Sequence, residues 1–528
     1  MPPARIFLGC LRFALALLLL ASSAAHPASL RIATAFDPQT MDPHALALLY
    51  HSRVAFQVYE SLVGRDEKFQ LEPALAVSWQ MTAPTRWRFR LRPDVSFHDG
   101  TPLTADDVVF SLERAMIAPS QRAFQLKGVA AVRKLDPLQV EFQLEAPDAV
   151  LPEKLQFVAI MSKAWSEKNG VARAQDFNAK QETHAIRHAN GTGPMRLERY
   201  EPDVRTLLRR HEAWWGWVDK RHGNLQQVSW VTIKSDATRL AALASGEVDM
   251  VLDPPYQDIA RLKNDTRMTL LQTADIGQQY LTFDQARDEL QHSDVKGRNP
   301  FKDLRVRKAV YHAIDVPLIV DKVLRGQAVP TGAFLSPLVD GSPAELDRRL
   351  PYDPARSRLL LGEAGYPNGF AVTLDCVNVA WRENVCQAVS AMLTQVGIRT
   401  TLRSSPTSQF FPKLSQGTAS FVEFGWTASP DAWNSLNGLF RSFDRSGLGT
   451  FNAGRYSNPR VDSLIDDIRV EPDATRRRAM VTTVLRLVGE DLPFIPLYRR
   501  TLTWAMAKKV SAVQWPNDTI ELRWVRVR

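Results

Sequence analysis

The residues able to do chemistry in this chain are few and dispersed. Ten histidines are the natural place to look for metal or acid–base work. His184 and His188 are four apart, which puts two imidazoles on one helix face, but two ligands without a third do not make a metal site. His98-Asp99-Gly100 offers one His-Asp pair and reads better as a tight turn, since Asp-Gly favours the positive φ such a turn needs. Gly191-Thr192-Gly193 lacks the third glycine and the lysine of a phosphate loop and reads as a chain break. The G-x-S-x-G, H-E-x-x-H and G-x-x-x-x-G-K-[ST] patterns, and G-x-G-x-x-G after a strand, do not occur in the sequence. The expectation is a protein with no catalytic set, no metal and no cofactor.

What is left is binding chemistry. Thirteen tryptophans and ten tyrosines supply apolar area with a polar handle, which suits a pocket for varied ligands, although most of them belong to the core. Those at predicted strand ends are the candidates for ligand contact: Phe36, Tyr280, Trp381 with Arg382, and Trp426 with Asp431. Phe36 opens a proline-broken loop after a short strand, Leu30 to Ala35, and loops at the carboxyl ends of parallel strands line ligand crevices. Cys376 and Cys386, at a strand end and in the following helix, form either a disulfide or two buried thiols.

The order of elements around these residues predicts an α/β fold. Trp87, Phe89 and Leu91 alternate with arginines as a strand does, Pro93-Asp94 turns the chain, and Val95 to Phe97 is the expected second strand of a hairpin. Thr104 and Asp107 form a capping box ahead of a helix with Val108, Val109, Leu112, Ala115 and Met116 on one face. Val129 to Leu135 and Gln139 to Leu144 are a strand pair. Leu225 to Ile233, a helix from Ser235 to Gly246, and Val248 to Leu252 make a crossover unit with parallel pairing. Strands at Gln279 to Asp284, Phe370 to Val377, Ile398 to Arg403 and Phe421 to Trp426 alternate with helices, and a last strand covers Leu497 to Met506.

WRFRLRPDVSFHDGTPLTADDVVFSLER, Trp87 to Arg114, resembles the signature of the family 5 extracytoplasmic solute-binding proteins, the peptide, nickel and opine receptors of ABC importers. ALASGEVDMV, Ala242 to Val251, and YDPARSRLLLGEAGYPNGF, Tyr352 to Phe370, resemble the family as well. The resemblance implies a two-lobed periplasmic binding protein fold, type II and cluster C-like, with an extra inserted domain. Its implied boundaries are a signal peptide at 1–25, lobe I from 26–58, 188–277 and 498–528, a peripheral domain at 59–187, and lobe II at 278–497. It also implies a monomeric, non-enzymatic receptor that captures a peptide or peptide-like solute by hinge closure and delivers it to a membrane permease and ATPase. A ligand-sensing partner of a chemoreceptor and a secreted hydrolase are the competing classes.

The family's dipeptide receptors place an arginine two residues before an aromatic, ahead of the helix after the third-domain strand, to meet the ligand carboxylate. Here Val379 stands at that place and Arg382 is displaced. They also place an aspartate just beyond Gly-Trp-Thr to meet the ligand amine. Here Gly425-Trp426-Thr427 is kept, but Ser429 takes that place and Asp431 follows two residues later. Burying a zwitterion without partners costs several kcal/mol per charge, so displaced partners imply displaced or different ligand charges.

Arg5 and Arg12 precede an apolar run, Phe13 to Ala21, and Ser23-Ala24-Ala25 offers small residues for cleavage, the layout of a secretory signal and of a periplasmic destination. That run is too short for a bilayer, which needs about 20 residues. Leu8-Gly9-Cys10 resembles a lipoprotein box but precedes the apolar run. A net charge of +9 carried by scattered lysines and arginines argues against a nucleic-acid partner.

Overall fold

A computed structural model describes residues 28–444 and 448–528. The predicted signal, Cys10 included, lies outside the described residues. The largest sheet among them has twelve strands and joins both halves of the molecule.

The first half is built on β1 (Ser29–Thr34), flanked in parallel by the strands Gln227–Thr232 and Met250–Leu252. Residues on this sheet alternate between two buried clusters, Leu30, Ile32, Met250 and Leu252 on one face and Ala33 and Val251 on the other. Burial on both faces is the reason the central strand Met250–Leu252 is an unbroken apolar run, whereas β1 and Gln227–Thr232 carry polar residues between their apolar ones. The helix α1 (Leu49–Val58) covers one face through Val54 and Val58.

The segment from about Tyr59 to Arg187 has its own four-stranded antiparallel sheet and its own core. The capping box of Thr104 and Asp107 forms as expected, at the start of the helix Ala105–Met116. The hairpin does not. Arg86–Leu91 pairs with Ala76–Ala83 and Gln139–Leu144, whereas Val95 and Phe97 sit in a tight loop closed by bonds from Leu103 N to Val95 O (2.9 Å) and from Phe97 N to Thr101 O (2.8 Å). Two longer strands with continuous apolar faces outcompete a three-residue segment. His98 is buried and its Nε2 lies 3.0 Å from Gly193 O, so it ties the loop to the Gly191–Gly193 segment. A side chain at Gly191 would collide with the Val58 carbonyl, and this close approach accounts for the glycine there.

In the second half, β2 (Phe370–Val377) lies in parallel with Ile398–Ser405 and with β3 (Phe421–Trp426). The strand Gln278–Phe283 is antiparallel to β3 and to β4 (Phe494–Ala507). With fourteen residues, β4 pairs through its first half in this lobe and through its second half with Met250–Leu252 and Met268–Ala274 of the first lobe. These directions fix the geometry of the site. β3 runs the same way as β4 and Met250–Leu252 runs against it, so the carboxyl ends of both lobes' parallel strands point toward the middle of β4, from opposite sides.

Candidate binding cleft

In open α/β sheets ligands bind outside the carboxyl ends of the strands, and here two such edges face each other across β4. On the lobe I edge, Phe36 follows β1 and is 57% exposed, its ring stacked on Tyr50 at 5.5 Å. The adjacent Asp37 is buried; it accepts hydrogen bonds from Asp203 N (2.8 Å) and the Tyr200 hydroxyl, which anchors the loop that presents Phe36. Asp253, one residue beyond the strand Met250–Leu252, has a left-handed backbone, φ 57°, and pairs with Arg53 at 2.8 Å. Arg53 also binds Asp518 (2.6 Å), and Trp504 Nε1 donates to Asp518 (2.9 Å). Burial raises the Asp518 carboxyl to about 6 despite Arg53, whereas on Asp253 burial is overcome by the charge and hydrogen bond of Arg53 together with Asp518 and Arg500, and the pKa is lowered. Where the chain crosses between lobes, Arg500 bridges to Asp275 at 2.8 Å.

On the lobe II edge, the helix α2 (Ala380–Gln395) follows β2 and carries Trp381 and Arg382 in its first turn. Arg382 donates to Gln279 Oε1 (2.5 Å), its guanidinium lies 5.3 Å from the centre of the Trp381 ring, and its Nε is 3.7 Å from the Glu423 carboxylate. Glu423 is fully buried in the middle of β3, and neither of its oxygens has a hydrogen-bond partner among the described residues. Burial lifts its carboxyl from 4.5 to about 7, with Arg382 opposing the shift. The Tyr498 hydroxyl beside this group is likewise buried without a partner. A Cβ at Gly425 would stand 2.5 Å from both Arg382 Nη2 and the Gln279 amide, so a side chain there would displace the pair. Trp426, next along, packs on Phe451 at 5.0 Å and donates from Nε1 to Ser435 Oγ (2.9 Å).

A family model described as "Bacterial extracellular solute-binding proteins, family 5 Middle" matches residues 70–447. The chain belongs to this family. Among its relatives is the glutathione-binding protein GsiB of Escherichia coli O1:K1 / APEC, 26% identical over 522 residues, 97% of this chain and 96% of the relative. Solved structures of the same fold include HbpA2 from Haemophilus parasuis, at 23% identity and a TM-score of 0.81 over 95% of this chain and 100% of that one. An unliganded open form of MppA, a periplasmic murein tripeptide binding protein, matches at 20% identity and a TM-score of 0.80 over 95% and 98% of the two chains. This family 5 solute-binding protein is therefore a two-lobed α/β receptor of the kind that serves ABC importers.

Four of the six candidate residues sit on the two facing edges: Phe36 on lobe I, and Trp381, Arg382 and Trp426 together on lobe II. Tyr280 and Asp431 have other occupations. Tyr280 is 1% exposed, stacks against Phe424 at 5.7 Å and donates its hydroxyl to Phe334 O. Its neighbour Gln279 takes the place at Arg382. Asp431 caps the helix Ala432–Leu439, accepting from Trp433 N (3.0 Å) and Asn434 N (3.1 Å). It faces the peripheral domain, where burial and the nearby Glu153 raise its carboxyl to about 6. Sequence reading missed Gln279, Glu423, Tyr498, Asp253 and Arg500; an acidic residue inside the apolar run Phe421 to Trp426 was the available signal for Glu423.

The two cysteines form a disulfide, Cys376–Cys386. His184 and His188 stack at 3.9 Å, and no group of three or more His, Cys, Asp or Glu able to hold a metal occurs among the described residues. No helix among them is long and apolar enough to cross a membrane.

Proposed function

We propose that this chain is a monomeric periplasmic receptor, exported by a signal at 1–25, that closes its two lobes on a peptide or peptide-like solute and delivers it to a membrane permease and ATPase. It catalyses no reaction and carries no cofactor. The observation that carries this reading is the opposition of two carboxyl edges across β4, one bearing Phe36 and the other Trp381, Arg382 and Trp426. Closure brings the edges together on a solute that contacts both, and contacts available only in the closed state shift the population toward it. Arg382 meets a solute carboxylate, and the three aromatic side chains supply apolar walls. Tyr280 packs in the core beneath this site, and Asp431 caps the helix at Ala432 without meeting the solute. We place the lobe boundaries at 277/278 and 497/498, with the peripheral domain at 59–187.

The test is mass spectrometry of solute released on denaturing the purified protein, followed by thermal unfolding with dipeptides, tripeptides, nickel chelates and glutathione, the last because relatives are named for it. A saturating binder at about 100 times its Kd stabilises the folded state by about 2.7 kcal/mol. Release of buffer components only, together with an unmoved Tm across the panel, sinks the reading.

A further inference from the structure

We propose that the Cys376–Cys386 disulfide is a positioning device for recognition, holding the turn that presents Trp381 and Arg382; this rests on the receptor reading above. The bridge joins the penultimate residue of β2 to the second turn of α2 and encloses residues 377–385. Both cysteines are 1% exposed and belong to the lobe II core, so the bridge anchors the turn from below.

Two observations favour this anchor. The N-cap of α2 is Val379, an apolar, exposed residue whose side chain makes no capping hydrogen bond, so the usual clamp on a helix start is missing. Cys386 lies four residues after Arg382 and hence on the same helix face; pinning Cys386 sets the rotation at which Arg382 reaches Gln279 and Glu423. The turn is also held by backbone bonds, Asn378 N to Ser405 O (3.0 Å) and Val379 N to Val377 O (2.8 Å), by a bond from Ser404 Oγ to Glu383, and by burial of Val385 and Val389 on the core face of α2; the bridge adds a covalent tie between that face and β2. A short covalent ring spares the binding step the entropy of ordering that turn.

The experiment compares wild type, Cys376→Ala/Cys386→Ala, and Arg382→Gln in both backgrounds, with S-methylglutathione as probe because it has no free thiol to exchange with the bridge. Loss of the bridge is expected to weaken binding about tenfold; Arg382→Gln is expected to cost about tenfold in wild type and less than about threefold without the bridge, because an unheld Arg382 has little left to lose. Equal costs of Arg382→Gln in both backgrounds overturn the proposal. Hydrogen exchange of residues 377–385 gives a readout that needs no solute: it is expected to rise at least about tenfold in the bridge-free chain while the sheet stays protected, and unchanged exchange overturns the proposal. If wild type does not bind S-methylglutathione, that counts against the receptor reading for this class of solute, and exchange alone decides the role of the bridge. Should the bridge-free chain not fold, a Gly-Gly insertion between Asn378 and Val379, which keeps the bridge but lengthens its ring, is expected to loosen the turn in both readouts.

Discussion

Arg53 in lobe I and Arg382 in lobe II each stand beside a buried acid, and the two sites are built differently. Arg53 uses its whole guanidinium: Nε donates to Asp518 O (2.8 Å), and the two outer nitrogens bind Asp253 and Asp518. Arg382 has one hydrogen bond, to Gln279, and a 3.7 Å approach to Glu423, whose oxygens are otherwise without partners. Buried polar groups are nearly always satisfied, and exceptions concentrate at functional sites. The contrast separates a completed ion network that holds lobe I together from an incomplete one, which the proposed solute would complete.

Four substitutions probe that contrast. Arg53→Leu leaves the buried Asp518 and the partly exposed Asp253 without their cation and is expected to lower the unfolding free energy by about 3 kcal/mol in a urea titration. A cost under about 1 kcal/mol would erase the distinction between the two sites. Glu423→Gln acts through pH. Because the folded carboxyl is raised from 4.5 to about 7, the folded state holds a proton that the unfolded state releases. The associated stability is complete below about pH 4.5 and is lost as pH rises to about 7. Wild type should therefore lose on the order of 3 kcal/mol relative to the Gln variant across that interval, and parallel stability curves would refute the assignment.

Arg382→Gln is smaller still in energy, about tenfold in solute affinity, with the Tm of the solute-free protein nearly unmoved. A large drop in Tm would place Arg382 with Arg53 as a structural residue. Asp431→Ala should cost about 1 kcal/mol of stability through the lost cap and leave solute affinity unchanged. If affinity fell with it, Asp431 would belong to the lobe II site after all.

Local features were legible in the sequence and long-range choices were not. The capping box at Thr104 involves residues three apart and could be read directly. The partners of Arg86–Leu91 were not readable, because Gln139–Leu144 lies fifty residues away and competes on apolar area that local pattern does not rank. Family motifs led to the fold and to the lobe II turn, but not to which face of the strand Gln278–Phe283 meets the cleft. That strand is buried throughout, so alternation gives no sign, and choosing Tyr280 over Gln279 depended on phase. Asp431 was misplaced for a different reason: an aspartate before Ala-Trp-Asn is also a good helix cap, and the local bond prevailed.

The way β4 and the chain's end close lobe I bears on the order of folding. Gln57 Nε2 donates to Ile520 O (2.7 Å), its Oε1 accepts from Leu522 N (2.9 Å), and Arg53 reaches Asp518, links across more than 460 residues of sequence. Lobe II draws its strands from a nearly contiguous stretch, so its contacts can form while the chain is still growing. Lobe I cannot finish until Asp518, Ile520 and Leu522 have emerged. Non-local closure of this kind slows folding, and it leaves the first lobe's apolar faces without their final partners until residues 501–522 are in place.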